Sequence, residues 1–389
     1  MNDVIALAKP KVVSTKIPVL LRQLFEYISQ RRRYQTLLLL ILTLFSSLAE
    51  IMSLGAVVPF IAILTQPEQV LVFPVIGEFV KIWGITTADE LILPIAIIFA
   101  CAAVIAGSFR LLLLWVGIRL IKAVGADLSI EVYRRTLYQP FSVHVARNSN
   151  EVISGVINKV GSATGVLMSV VTLTTSIILF TAILITLLII DPIVASIAAF
   201  TFGNFYLLIA WLSRKNLLNN GKKIADNQTQ VVKSLQEGLG AIRDIILDSS
   251  QSIYCVIYGK SITELQRADS ENTFINQAPR YFMEMVGLVL VSGLAYSLSY
   301  KSGDISTSLP VLGALALGAQ KLLPLLQHIY SSWATMKGGQ AALVDVLELL
   351  DQPLPTYIAD DVIPPYDFKD SIRLKNIKFR YSDESAWVL

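Results

Sequence analysis

The sequence predicts an all-α membrane protein with six transmembrane helices, long cytoplasmic helical extensions and a short β segment at the C-terminus. The first observation behind this prediction is composition, since 54% of the 389 residues are hydrophobic and only 16% are charged. A soluble domain normally carries about 25% charged residues. The second observation is a series of six apolar runs, each about long enough to cross a bilayer as a helix. Two long polar stretches separate these runs and predict the helical extensions.

The composition also argues against several classes of function. The net charge is only +3, so we expect no nucleic-acid partner. The two cysteines, Cys101 and Cys255, provide neither a disulfide framework nor a metal-ligand spacing. The two histidines, His144 and His328, argue against a metal or histidine-dependent site.

Residues 1–36 are predicted to form a cytoplasmic tail and an amphipathic elbow helix. Within residues 17–33, apolar side chains repeat at helical spacing, which predicts a helix that lies on the membrane surface. These side chains are Leu21, Leu24, Phe25 and Ile28. Arg31, Arg32 and Arg33 follow the stripe, and we expect them to lie among lipid headgroups.

Residues 37–336 are predicted to form the six-helix membrane domain. Between the first two spans, residues 65–90 predict a short amphipathic helix on the outer surface. Asp191 and Pro192 predict a tight turn between two spans, with Pro192 at the first helical position. The six predicted spans are residues 37–64, 91–121, 166–190, 193–212, 281–300 and 309–330.

The distribution of basic residues predicts the orientation of these spans. Of the 32 lysines and arginines, only Lys81 and Lys301 fall in loops assigned to the outside. By the positive-inside rule, both termini and both long polar stretches, residues 122–165 and 213–279, are cytoplasmic. We therefore expect a multi-pass membrane protein with both termini on the inner side.

The chain changes character after the sixth span. Residues 337–370 are predicted to form a connecting helix and a linker. Four apolar side chains share one face of that helix, namely Leu343, Val346, Leu347 and Leu350. Alternating apolar and basic residues in 371–389 predict a β-strand. Because so short a segment cannot bury a core of its own, we expect it to be the start of a further domain.

Six spans with short outer turns and two long cytoplasmic hairpins resemble the transmembrane half of a type I ATP-binding-cassette exporter. Residues 372–381 resemble the first strands of that family's nucleotide-binding domain, and residues 339–351 resemble its connecting helix. The resemblance implies a homodimer that works by alternating access and uses ATP and Mg²⁺. It also implies short helices at the hairpin tips, near residues 140–147 and 244–258, that contact the ATPase domains.

A closer similarity is to bacterial flippases of lipid-linked oligosaccharides and to related polysaccharide or glycolipid exporters. The residues that carry it are 50–60, 79–83, Ala278-Pro279-Arg280 with Glu284 and Gly287, and 321–324. The similarity implies a protein of the bacterial inner membrane that moves a lipid-linked saccharide or a related amphiphile. Its implied partners are membrane lipids, the lipid-linked glycan substrate and a second copy of the chain.

The sequence contains no G-x-x-x-x-G-K-S/T loop, whose backbone N–H groups, lysine and hydroxyl hold nucleotide phosphates and Mg²⁺. The family's signature and switch elements are also missing. We therefore expect ATP and Mg²⁺ to bind only in a complete member of the family, and this chain alone not to hydrolyse ATP. The chain is then interpreted as a truncated product or a fragment. Tyr381 resembles the aromatic that stacks on adenine, with an ordinary strand tyrosine as the alternative.

Charged residues inside the spans form the candidate substrate cavity. Arg110 and Arg280 are predicted near the inner edge of the hydrocarbon, and Lys321 nearer its middle. Three such cations are unfavourable unless an anion, such as a pyrophosphate-linked lipid headgroup, binds them. A structural alternative stays open, in which Arg280 pairs with Glu284, Arg110 pairs with Glu50 and Lys321 extends to the membrane edge.

Alternatives to the flippase interpretation remain. A truncated membrane stub would dimerise without transporting. A secondary transporter would need inverted repeats and broken helices at the membrane midplane, and the long cytoplasmic hairpins argue against it. An exporter of lipids, peptides or drugs would share the same fold.

Overall fold

A computed structural model describes residues 16–57, 60, 92–146, 149–190, 192–302, 305–354, 368, 370–373, 375–378, 380 and 387–388. Throughout these residues the regular structure is helical, and no strand occurs among them. The α-helices are α1 (Ile17–Tyr27), α2 (Gln30–Gly55), α3 (Ile92–Leu137), α4 (Phe141–Ala146), α5 (Ser149–Ser154), α6 (Val160–Ile190), α7 (Pro192–Gly240), α8 (Ile242–Leu247), α9 (Gln251–Ser302), α10 (Ile305–Gly338) and α11 (Gln340–Leu350). A π-helical turn, Gly155–Lys159, joins α5 to α6.

Three of the described helical segments are long and apolar enough to cross a membrane, as judged by length and composition. They are Gln30–Ser53, Ile92–Leu137 and Val152–Ile189. These segments contain most of the residues of each of the first three predicted spans. The helical structure and the three apolar segments confirm the prediction of an all-α membrane protein. The other three predicted spans lie within α7, α9 and α10, where several side chains fall outside the described part. The count of six spans stays a prediction.

The two polar stretches continue the apolar helices rather than forming separate units. Helices α3, α7 and α9 have 46, 49 and 52 residues. At a rise of 1.5 Å per residue these helices are about 69, 74 and 78 Å long. The hydrocarbon core of a bilayer is only about 30 Å thick. Each helix is therefore more than twice as long as a hydrocarbon core is thick, and more than half of α3, the candidate span among them, extends beyond it.

The long helices pack side by side, with α6 along α10, α7 along α9 and α10, and α2 against α3 and α6. Helices α7 and α10 come very close where Gly221 faces Gly338. A Cβ atom added to Gly221 would lie 2.0 Å from the carbonyl oxygen of Gly338. Only a residue without a side chain lets the two backbones approach this closely.

The largest buried cluster lies where α1 and α11 pack on α3 and α6. Helix α11 contributes the face that its sequence predicted, since Leu343, Val346, Leu347 and Leu350 are all 0% exposed. Full burial of such a side chain contributes about 1.5–3 kcal/mol. These four residues therefore fix α11 firmly onto its neighbours.

Helix α1 forms where predicted, but protein covers much of its apolar face. Leu20 and Leu24 are fully buried and Ile28 is nearly so, whereas Phe25 is exposed. Part of this face therefore packs on protein, and the expectation that the helix lies on the membrane surface stays a prediction. The free energy gained when an apolar face leaves water is about the same whether the face then contacts another apolar helix or lipid. The covering helix is α11.

Arg32 and Arg33 bind protein groups, and the headgroup contacts expected for them stay a prediction. The Arg32 Nε lies 2.8 Å from Asp127 Oδ2 on α3. Arg33 donates hydrogen bonds of 2.9 and 3.0 Å to the backbone carbonyls of Phe25 and Ile28 at the end of α1. Carbonyls at a helix C-terminus lack helical partners, and a nearby arginine satisfies them.

The strand predicted over residues 371–389 does not form in the described residues of that segment. Ile372 is 81% exposed, and Asn376 has a φ of 52°, which interrupts an extended backbone. A strand also needs a neighbouring strand to pair its N–H and C=O groups, and the described residues offer none. Tyr381 and the outer helix predicted in 65–90 lie outside the described residues.

Candidate functional site

Arg280 and Glu284 form an ion pair on α9. The Arg280 Nε lies 2.9 Å from Glu284 Oε1, and the two side chains are 56% and 51% exposed. Residues four apart in a helix lie on the same face, so the pairing follows directly from the sequence spacing. This part of the structural alternative is confirmed. Because an exposed pair is weak in water, an incoming anion can compete with Glu284 for the guanidinium.

Pro279 interrupts the hydrogen bonding of α9 directly before this pair. A proline within a helix has no N–H for the carbonyl four residues earlier, which here belongs to Ile275. The Tyr330 hydroxyl on α10 donates a hydrogen bond of 3.1 Å to that carbonyl. Helix α10 therefore supplies the donor that α9 lacks, at the level where Arg280 begins the predicted fifth span.

An aromatic cluster of α7, α9 and α10 lies beside the ion pair. The ring centroids of Tyr206 and Tyr330 are 5.6 Å apart, and the two residues are 7% and 4% exposed. Phe205 and Phe282 meet edge to face at the same centroid distance. The charges of both members of the ion pair act on the Tyr206 phenol, so the pair lies near this cluster.

Arg110 and Arg280 lie near the same histidine. Arg110 is exposed on α3, His328 is exposed on α10, and the charges of both arginines act on the His328 imidazole. Two of the predicted cavity cations, from different helices, therefore lie within electrostatic range of one imidazole. The sequence prediction gave His328 no function. Its position near the inner end of the sixth predicted span, at a depth similar to that of Arg280, is the signal that could have identified it.

The remaining predicted cavity residues are not brought into this region by any described contact. Glu50 lies on α2 and is 3% exposed, whereas Arg110 is exposed. The pairing of Arg110 with Glu50 stays a prediction. Lys321 belongs to α10, and its side chain lies outside the described part of the chain.

An open groove of about 570 Å³ runs along α9 and ends beside the ion pair. The groove side chains all belong to α9 and are mainly amides, hydroxyls and aromatic rings. They are Gln266, Asp269, Ser270, Thr273, Phe274, Gln277, Ala278 and Tyr281. A ligand that binds Arg280 can therefore extend along this face without leaving the helix.

Nothing in the described residues identifies a cofactor site. Within that part of the chain, no group of three or more His, Cys, Asp or Glu side chains could hold a metal ion. Tyr381, the predicted adenine contact, lies outside it. The nucleotide prediction therefore stays a prediction.

Short helices lie at both predicted hairpin tips. Helix α4 falls within the predicted 140–147, whereas α8 overlaps only the beginning of the predicted 244–258, whose later residues belong to α9. Large apolar side chains are exposed at both tips, with Phe141 75%, Ile246 58% and Leu247 71% exposed. Clustered exposed apolar side chains in a polar region indicate contact with another protein surface.

No model of a known protein family matches this chain, and no curated protein matches it either. The function is therefore inferred from the residues and the geometry described above.

Proposed function

We propose that this chain is the membrane domain of an ATP-driven exporter or flippase that moves a lipid-linked saccharide or a related amphiphile by alternating access. In this proposal the chain has the six-span fold of a type I ATP-binding-cassette exporter and works as a homodimer in a bacterial inner membrane, with both termini cytoplasmic. A nucleotide-binding domain provides the ATP and Mg²⁺ sites, with Tyr381 as the proposed adenine contact.

The observation that carries the proposal is the continuity of α3, α7 and α9. Each runs unbroken from an apolar stretch into a polar hairpin that ends in a short helix. Such long helices transmit movement of their tips to their apolar halves. The exposed Phe141 and Leu247 give those tips an apolar surface on which a soluble domain can dock.

The charged region of the site supports an anionic amphiphile as the substrate. Arg110, Arg280 and His328 come from three different helices, and the charges of both arginines act on the His328 imidazole. Basic groups in a membrane are favourable where they face a wet cavity or an anion, and arginine binds phosphate oxygens through paired N–H donors. Leu288 and Val289, 73% and 72% exposed farther along α9, suit the lipid tail of the same molecule.

Lipid binding to the full chain in lipid nanodiscs tests this proposal. Native mass spectrometry would compare a polyprenyl-pyrophosphate-linked saccharide with phosphatidylglycerol. We expect the former to bind at least about tenfold more tightly, because hydrogen bonds to charged groups contribute about 1.5–3 kcal/mol each. Equal binding of the two lipids by the wild-type chain would contradict the proposal.

Two variants assign the preference to the site. The double variant R110Q/R280Q is expected to lose the preference for the pyrophosphate-linked saccharide. The control R134Q removes one positive charge from an exposed position on α3 outside the site and is expected to keep it. If R110Q/R280Q still prefers the pyrophosphate-linked saccharide over phosphatidylglycerol, the lipid headgroup binds at another site.

A further inference from the structure

The end of α11 meets α1 and α3 in a compact set of polar contacts. The Tyr27 hydroxyl, at the last residue of α1, donates a hydrogen bond to the Asp351 carboxylate directly after α11. The guanidinium of Arg135 on α3 lies 5.1 Å from the centre of the Tyr27 ring. A cation over an aromatic face is attracted to it. One aromatic side chain thus contacts groups from both of the other helices.

Helix α3 also binds the backbone that follows α11. Arg135 donates hydrogen bonds to the carbonyls of Leu350 and Gln352, the latter at 3.1 Å. Gln139 donates a hydrogen bond of 3.0 Å to the carbonyl of Pro353. The last carbonyls of a helix have no helical partner, and a basic side chain near them is favourable. The chain from Leu350 to Pro353 is therefore held by Arg135 of α3 and by Gln139, which lies two residues after the end of α3.

The Arg135 guanidinium is fixed in the orientation that these contacts require. Its Nε lies 2.6 Å from Glu131 Oε1 one turn earlier on α3, and the Arg135 side chain is only 19% exposed. Helix α11 is held from another side as well, because Lys159 lies 2.6 Å from Asp345. With the apolar face of α11 fully buried, the contacts join rigid parts.

We propose that Tyr27, Arg135, Gln139 and Asp351 form a coupling junction through which movement of the chain beyond Pro353 is transmitted to α3. Helix α3 is continuous between Arg135 and Arg110, a distance of about 37 Å at 1.5 Å per residue. No proline interrupts this part of α3. A displacement at the junction therefore moves the whole of this part of α3, which carries Arg110. This holds for any transported molecule.

Hydrogen exchange of the full chain in lipid nanodiscs, read by mass spectrometry, tests the junction. The variant Y27F changes α1 only, so any effect on α3 has passed through the junction. We expect exchange to rise about tenfold both in residues 350–354 and in residues 128–137, because the lost hydrogen bond ends on a charged group. The matched control Y34F changes a 67% exposed tyrosine on α2 and is expected to leave both segments unchanged.

A second pair of variants keeps the test decisive if the effect of Y27F is small. R135Q is expected to raise exchange in residues 350–354 more than Y27F does, whereas R134Q, at the exposed neighbouring position, is expected to have no effect. If hydrogen exchange of residues 350–354 is unchanged in R135Q, the proposed junction is disproved. Faster exchange of residues 350–354 in Y27F, with residues 128–137 unchanged, would overturn the transmission to α3.

Discussion

The Tyr330 hydroxyl donates a 3.1 Å hydrogen bond to the carbonyl of Ile275, the acceptor that Pro279 leaves without its usual helical donor. A side chain of α10 thereby completes the backbone hydrogen bonding of α9. Pro279 is tolerated within a 52-residue helix because its unpaired carbonyl finds this partner. The contact also ties α9 to α10 five residues before Arg280, the first residue of the ion pair.

Removal of this hydroxyl is expected to destabilise the protein. The variant Y330F should lower the free energy of unfolding by about 1–3 kcal/mol, since a buried carbonyl loses its donor while the ring packing stays. Thermal unfolding in detergent, compared with wild type, measures the loss. The control Y281F alters a 65% exposed tyrosine on α9 and should leave the unfolding temperature unchanged. Equal unfolding temperatures for Y330F and wild type would disprove the role of Tyr330.

The contact between α7 and α10 is expected to exclude any side chain at Gly221. In G221A the new Cβ would lie 2.0 Å from the Gly338 carbonyl oxygen, so the helices must separate. Overpacking of this kind lowers stability by about 1–3 kcal/mol. The same change at Gly203 on α7 meets nothing within 4 Å and should stabilise slightly, because alanine favours helix more than glycine does. A G221A variant as stable as G203A would contradict the close approach.

The junction at Tyr27 is expected to show an unusual alkaline titration. Burial, together with the hydrogen bond to Asp351, raises the pKa of Tyr27 from 10.0 to about 12. Because the folded pKa is the higher one, the stabilisation is complete below pH 10 and is lost as the pH rises through about 12. The difference in tyrosinate absorbance between wild type and Y27F isolates this one group. A midpoint near 10 would show that Tyr27 is not held as described.

Native Cys255 offers a test of the predicted orientation. It is exposed on α9 within the polar stretch 213–279, which the positive-inside rule assigns to the cytoplasm. In a C101S variant, a membrane-impermeant maleimide should leave intact bacterial spheroplasts unlabelled and label Cys255 after permeabilisation. Labelling of Cys255 in intact spheroplasts would show that this hairpin lies on the outer side of the membrane, opposite to the prediction.

Helical periodicity predicted which faces of α1 and α11 are apolar, but not what covers them. The spacing of Leu343, Val346 and Leu347 repeats with the turn of a helix and therefore marks one side of it. The same reasoning placed Leu24 of α1 correctly on the apolar face, but it also placed there Phe25, which is exposed, and left out the buried Leu20. A periodic pattern contains no information about whether lipid or protein lies opposite, so the packing of α1 on α11 could not be predicted.

The candidate site was predictable where its contacts are local. Arg280 and Glu284 are one helical turn apart, and their ion pair follows from that spacing. The hydrogen bond of Tyr330 joins residues 55 positions apart, so no local pattern reveals it. The predicted strand is absent from the described residues around Ile372 for a related reason, because alternation is local whereas strand hydrogen bonds come from another segment.

The π-helical turn Gly155–Lys159 makes the chain more tolerant of a one-residue deletion than of a one-residue insertion at this point. Such a turn absorbs one residue beyond the regular α repeat, so Ser154 before it and Val160 and Val166 after it all remain buried. A single-residue deletion here would yield a plain α-helix with the same faces inward. A second inserted residue would rotate all of α6 by about 100° and turn its buried face outward. Homologous chains should therefore accept shortening at this turn and reject lengthening.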